Sequence, residues 1–438
     1  MKVSGVSRKL IKPCKPTPSD LCTYKISLID EVNPSMHVTR IFFYESDQVA
    51  DDKYIASLEE SLSQVLPLFY PLAGRYNKEE HYVNCNDEGA AFLITEVDCQ
   101  LHQFIGPELE SEQLDHLAAL QIGEVDEPTD PILAVQINRF QCGGLAIGVC
   151  TSHRVFDSCS QTTFLKAWAN AATNGGLVIR PDFYLASYFP SENKPSLPFG
   201  QLSRGRNTSI LSRRFVFDKN AIHKLRERVC PEWRNERPPS RVLVVSAVLT
   251  QAILRADRVK HGQSRASIIR QAINVRERII PPVSKYSCGT WVCTSFLESD
   301  PNESYGLECN LATMVSKMRE ANIECIKDCA RILSDREFGR WLLVDCELEA
   351  GQRLHSTDNK VIWISDLSKF EDYELDFGFG KPIWASVTDM PIEDFIVLMN
   401  TKHNDGIEAW VYMHESDMPY LDQDEELRML TTQRGYAI

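Results

Sequence analysis

The stretch "PILAVQINRFQCGGLAIGVCTSHRVFDSCSQTTFLKAWANAATNGG", residues 131–176, carries the reading on which the fold turns. Its runs PILAVQINRF and LAIGVCTS are β-prone and joined by QCGG, a glycine-containing hairpin signal. The second run ends in His153, and Asp157 follows four residues later. The segment DSCSQTTFLKAWANAATNGG then supplies a Ser/Asp cap, Phe164, Leu165, Trp168 and Ala171 at helical spacing, and a stop at Gly175–Gly176. The order predicted is strand, hairpin, strand, turn, helix. His153 and Asp157 therefore fall on a strand–turn–helix junction, where a scaffold can present side chains rigidly.

Working outward, TPSDLCTYKISLIDEVNP (17–34) reads as a capped opening segment followed by a strand. IASLEESLSQVLPLFYPLAGRY has Leu58, Leu62, Val65, Leu66 and Phe69 at helical spacing before a proline stop and a glycine turn. HYVNCNDEGAAFLITEV reads as two short strands around an Asn-Asp-Glu-Gly turn. A Pro- and Ser-rich stretch from about Phe189 to Arg213 lacks periodicity and marks a crossover. Beyond it, RRFVFDKNAIHKLRERV reads as a strand and an amphipathic helix, SRVLVVSAVLTQAILRAD as a long helix, and SIIRQAINVR as a strand. Helix and strand alternate in both halves, which predicts an α/β fold of large mixed sheets in two similar domains facing each other. With 438 residues the chain is too long for one ordinary core. The expected division is 1–188, a linker at 189–213, and 214–438.

A hydrophobic content of 43% and a charged content of 25% are those of a soluble globular protein. No apolar run reaches the ~18–20 residues a membrane span needs. The opening MKVSGVSRKLIKPCKP has neither a secretory apolar core nor the composition of a transit peptide, so the cytosol is the expected location. The sequons at Asn207 and Asn302 then carry no weight. A net charge of −14 argues against nucleic acid as a partner. There is no Walker motif, and the GFG at 378–380 lacks the continuation of a dinucleotide fingerprint. The 14 cysteines are scattered and many sit in apolar runs, as buried free thiols do in a reducing compartment. Cys325 and Cys329 form a CxxxC, but no second Cys or His pair accompanies them in sequence, so no metal is expected.

Taken locally, a histidine at a strand end and an aspartate at a helix N-cap are ordinary features, and local sequence alone favours that reading. The functional reading makes His153 a general base working near neutral pH, with Asp157 tied to a cation and shaping the loop.

The wider pattern decides between them. HRVFD resembles the HxxxD motif of the plant BAHD acyltransferases, and DFGFGKP (376–382) resembles their second signature, usually DFGWG. SLSQVLPLFYPLAGRY (61–76), CNDEGAAF (85–92), FQCGGLAIGVCTSHRVFD (140–157), RFVFDKNAI (214–222), AINVR (272–276) and DGIEAWV (405–411) extend the likeness along the chain. The pattern is most similar to the family's vinorine-synthase-like branch, which acylates alkaloids and other specialised metabolites. The resemblance implies two chloramphenicol-acetyltransferase-like domains with a channel at their interface. It implies acyl-CoA, acetyl-CoA by preference, as co-substrate rather than bound cofactor, and a small-molecule alcohol as acceptor. It assigns His153 as catalytic base and Asp157 as its structural neighbour, paired with Arg276. It gives Asp376, Phe377, Gly378, Phe379 and Gly380 a supporting role, in a protein expected to act as a monomer.

The chain departs from the family pattern at Phe156 and Ser158, at Phe379 in place of Trp, at Thr290 in place of Asn, and at Leu367–Ser368–Lys369 in place of WCR. Packing into the core is the favoured reading for Phe156. A dicarboxylic donor would need a cation facing the acyl pocket, and none can be placed from sequence. Two alternatives remain at this level: proton transfer by His153 without acyl transfer, as in an elimination or cyclisation, and metabolite binding without turnover.

Overall fold

The computed structural model describes residues 1–33, 36–45, 52–105, 109, 111–120, 129–177, 179–192, 209–229, 238–299, 310–350 and 359–431. Most of the expected linker lies outside the described residues, as do Asn207 and Asn302. The strands are β1 (Val3–Ile11), β2 (Thr23–Lys25), β3 (His37–Tyr44), β4 (Arg75–Asn77), β5 (Tyr82–Asn84), β6 (Ala90–Val97), β7 (Leu133–Phe140), β8 (Leu145–Ser152), β9 (Ile210–Phe217), β10 (Ser267–Asn274), β11 (Val292–Ser299), β12 (Lys360–Asp366), β13 (Trp384–Val387), β14 (Phe395–Asn400) and β15 (Ile407–His414). They form two six-stranded sheets, ordered β1-β6-β7-β8-β3-β13 and β11-β10-β12-β14-β15-β9, and a small sheet β2-β5-β4. Both large sheets are mixed: β6 runs parallel to β7, and β12 runs parallel to β10 and β14. The architecture is α/β, as the alternation of patterns predicts.

The hairpin expected over 131–152 forms, with β7 and β8 antiparallel from Leu133↔Thr151 to Arg139↔Leu145. Every residue of β8 is buried, which is why its sequence is a continuous apolar run rather than an alternating one. The helix Ser158–Ala172 follows, and its Trp168 donates through Nε1 to the carbonyl of Leu58 and to Ser61 Oγ, both at 3.1 Å. Those acceptors lie on the helix Asp52–Val65, so the two helices read from sequence lock together. The long helix Arg241–His261 is capped by Ser240 and closed by the left-handed Gly262. Among the described residues, no helix is long and apolar enough to cross a membrane.

Two features differ from the sequence reading. The strands around Asn-Asp-Glu-Gly both form but do not pair with each other: β5 joins β2 and β4, while β6 joins β1 and β7. The halves also exchange an element. β13 comes from the second half yet is the sixth strand of the first sheet, paired antiparallel with β3 from Trp384↔Phe43 to Val387↔Arg40. A division at 189–213 therefore assigns Trp384–Val387 to the second half although they pair within the first sheet, and Phe377 and Trp384 share one apolar cluster with Phe43 and Trp168.

Candidate active site

His153 is fixed by its position one residue past β8. Its backbone N–H donates to the carbonyl of Met36 at 2.8 Å, just beyond the last β3–β8 pair, His37↔Ser152. The amides of Val155 and Phe156 both return to the carbonyl of Ser152, closing the turn that HRVF makes. Val155 and Phe156 are fully buried, and the Phe156 ring faces Phe69 and Phe183. The bulk of Phe156 thus fills the core, as favoured from sequence. Arg154 donates to the carbonyl of Glu31 at 2.9 Å. The imidazole of His153 lines a cavity between the two large sheets. Its Nδ1 is buried and has no hydrogen-bond partner among the described residues. Burial disfavours the charged ring and holds His153 below the ordinary histidine value, while the residue's own backbone and, after it, Asp157 pull the other way more weakly. A neutral imidazole at the wall of a cavity can accept a proton.

Asp157 is the N-cap of the helix Ser158–Ala172 and is engaged on both oxygens. Oδ1 accepts from the Ser160 amide at 2.8 Å, Ser160 Oγ at 2.7 Å and Arg276 Nη2 at 2.9 Å. Oδ2 accepts from Arg276 Nη1 at 2.7 Å and from the Trp291 amide at 3.3 Å. Burial would raise this carboxyl, but the Arg276 guanidinium and the Ser160 donors outweigh it and hold Asp157 below the usual range. Arg276 follows β10 and spends its remaining donors on the carbonyls of Ser287 and Gly289 and on Asn274 Oδ1. The pair is a bidentate, fully desolvated bridge between the halves.

The DFGFG segment lies apart from these groups. Asp376 Oδ1 accepts from the amides of Gly378 at 2.8 Å and Gly380 at 3.0 Å. Both glycines have left-handed backbones, φ +99° and +102°, which the turn requires. Phe377 packs edge-on against Trp168 at 4.8 Å, and Phe379 meets Tyr44 at 5.0 Å and Tyr54 at 5.7 Å. The motif thus anchors β13 and the first-half helices. None of its five residues lines the cavity.

Several cavity residues were missed from sequence. Arg40 on β3 donates to Gln161 Oε1, Asp372 Oδ1 and Thr162 Oγ1, joining three elements at the cavity wall. Asn33 donates to Thr290 Oγ1 at 2.7 Å, and Asp30, fully buried behind the wall and not lining the cavity, accepts from the Thr290 amide at 2.7 Å. The Thr290 departure thus lies in the cavity wall and is used. Arg270 on β10 is a cavity-wall cation that the sequence reading did not single out. It lines the cavity with its guanidinium 3.5 Å from the Trp363 ring centroid and 5.2 Å from that of Phe296, ion-paired with Glu347. An arginine inside a β-run is its one sequence signal.

Two mixed sheets around a cavity walled by a strand-end histidine, with an Asp–Arg bridge behind it, fit the acyltransferase that the sequence resemblance implies. The comparisons agree: the Transferase family model matches residues 1–428, and the chain belongs to that family, the BAHD acyltransferases. The chain is 35% identical to pelargonidin 3-O-(6-caffeoylglucoside) 5-O-(6-O-malonylglucoside) 4'''-malonyltransferase of Salvia splendens, over 98% of this chain and 99% of that one. It is 34% identical to vinorine synthase of Rauvolfia serpentina, over 96% of each chain. The crystal structure of vinorine synthase matches with a TM-score of 0.84 at 31% identity, covering 99% of both chains. The protein is an acyltransferase, and acyl-CoA is the family's co-substrate.

Proposed function

We propose that the protein moves an acetyl or other small acyl group from CoA to a hydroxyl of a specialised metabolite, an alkaloid alcohol first among the candidates. His153 is the general base. It takes the acceptor's hydroxyl proton, and the oxygen attacks the thioester carbonyl. The tetrahedral intermediate then expels CoA, whose sulfur recovers the proton from the imidazolium. Asp157 and Arg276 take no part in proton transfer. They set the turn that aims the ring, and Asp376 with Phe377, Gly378, Phe379 and Gly380 hold the neighbouring strand. The enzyme works as a cytosolic monomer with no resident cofactor.

The observation that carries this reading is the half-buried imidazole, its Nδ1 shielded from solvent, at the wall of a cavity both halves line. Arg270 bears on the donor. Its charge is already matched by Glu347, so it offers no free cation to a dicarboxylic acyl group, and the uncharged acetyl remains the preferred donor. The test is incubation with acetyl-CoA and a panel of alkaloid and terpenoid alcohols, following free thiol and acceptor mass together. Acceptor-dependent thiol release with the mass gain of an acetyl group is expected. Mass change without thiol release would show another proton-transfer reaction in the same cavity, and binding without either would show a non-catalytic protein.

A further inference from the structure

The fold assembles three thiols that the sequence keeps apart. Cys325 and Cys329 lie one turn apart on the same face of the helix Leu311–Cys329, and Cys293 meets them from β11. Cys293 Sγ is 3.2 Å from Cys325 Sγ and 3.4 Å from Cys329 Sγ. All three sulfurs lie within 4.8 Å of one another, and all three residues are buried. The sequence offers the CxxxC no second Cys or His pair, but the fold brings it one further thiol, 32 residues upstream of Cys325, through the packing of helix on sheet. The surroundings are apolar, with Val275, Trp291, Ile332 and Leu343 in the same cluster.

We propose that Cys293, Cys325 and Cys329 form a binding site for one thiophilic, closed-shell cation of the Cu(I) type, held by three thiolates. At a metal–sulfur distance of about 2.3 Å, three sulfurs around an ion in one plane stand about 4 Å apart. The observed separations, from 3.2 Å upward and within 4.8 Å, span that spacing, so loading needs shifts of under an ångström or so. A purely thiolate donor set selects soft ions over calcium or magnesium. Zinc takes four ligands in a structural site, whereas the group found among the described residues offers three, which favours an ion content with three. Binding breaks the S–H bonds and releases their protons to solvent. No electron is transferred, because the copper enters and stays as Cu(I). The ion would tie the helix to β11, whose Val292 and Thr294, on either side of Cys293, line the catalytic cavity.

The test uses the full-length protein with reduced thiols under anaerobic conditions, titrated with Cu(I) held by a coloured chelator. The wild type is expected to withdraw one tightly held equivalent. Cys293→Ser and Cys329→Ala should bind that equivalent at least about tenfold more weakly, while Cys85→Ala, which removes a buried thiol elsewhere, should keep it. Circular dichroism checks that each variant is folded, and Cys325→Ser stands in for a variant that is not. X-ray absorption of the loaded wild type should count three sulfur neighbours. Equal uptake by the wild type and the cluster variants, no uptake by the folded wild type, or a shell of nitrogen and oxygen would overturn the proposal.

Discussion

Burial at His153 sets the pH range in which the enzyme can work. A base must be neutral to accept a proton, and desolvation depresses the pKa of this ring. The acid limb of kcat/KM is therefore expected below the ordinary histidine range, with activity level from there through neutrality. An acid limb above that range would mean that the group titrating is not this partly desolvated imidazole. Asp157 obeys the opposite logic. Its folded pKa lies below the unfolded 3.8, so its contribution to stability is present above that value and is lost as pH falls through the folded one. Removing it strands a buried guanidinium: Asp157→Ala should cost about 3–5 kcal/mol in urea unfolding. Arg276→Ala should cost a similar amount, and the double variant much less than the sum, since the two act as one pair. Additive losses would show that the pair is not coupled.

Among the elements, DFGFG tests whether a signature can be structural. A Cβ at Gly380 meets no atom within 4 Å, so Gly380→Ala is charged with backbone strain alone. The expected cost is about 1–3 kcal/mol, read as a lower thermal midpoint with KM for CoA unchanged. A raised KM at unchanged stability would instead place the turn in contact with the donor. Phe379→Trp keeps the stack on Tyr44 and Tyr54 and should leave both rate and midpoint close to wild type. Elements with strong local signals were legible in sequence: the glycine hairpin before β8, the Asp157 cap and the Ser240-capped helix all stand where their residues put them. β1 was not, because most of its residues are exposed and VSGVSRKLI shows no apolar alternation. The partners of β5 and β6 were not legible either, since pairing between distant strands is a choice of the whole sheet and no local turn announces it.

At the scale of the molecule, β13 and the Asp157–Arg276 bridge make the halves interdependent. Residues 1–188 alone would lack β13, leave β3 an uncovered edge, and lose the Trp384 ring stacked on Phe43 at 4.8 Å. That fragment is expected to show no cooperative thermal transition by circular dichroism; a sharp one would refute this interdependence. Distance in sequence explains what stayed hidden here. His153, Asp157 and the DFGFG segment announced themselves as motifs. Arg40, Asp30, Arg270 and the Cys293 contact acquire meaning only from neighbours more than thirty residues away. The most direct measurement is kcat/KM for acetyl transfer to an accepted alcohol by the wild type and by His153→Ala, with CoA binding followed alongside. A loss of about 10²- to 10⁴-fold with CoA binding intact is expected, and retention of near-wild-type turnover by the variant would contradict His153 as the base.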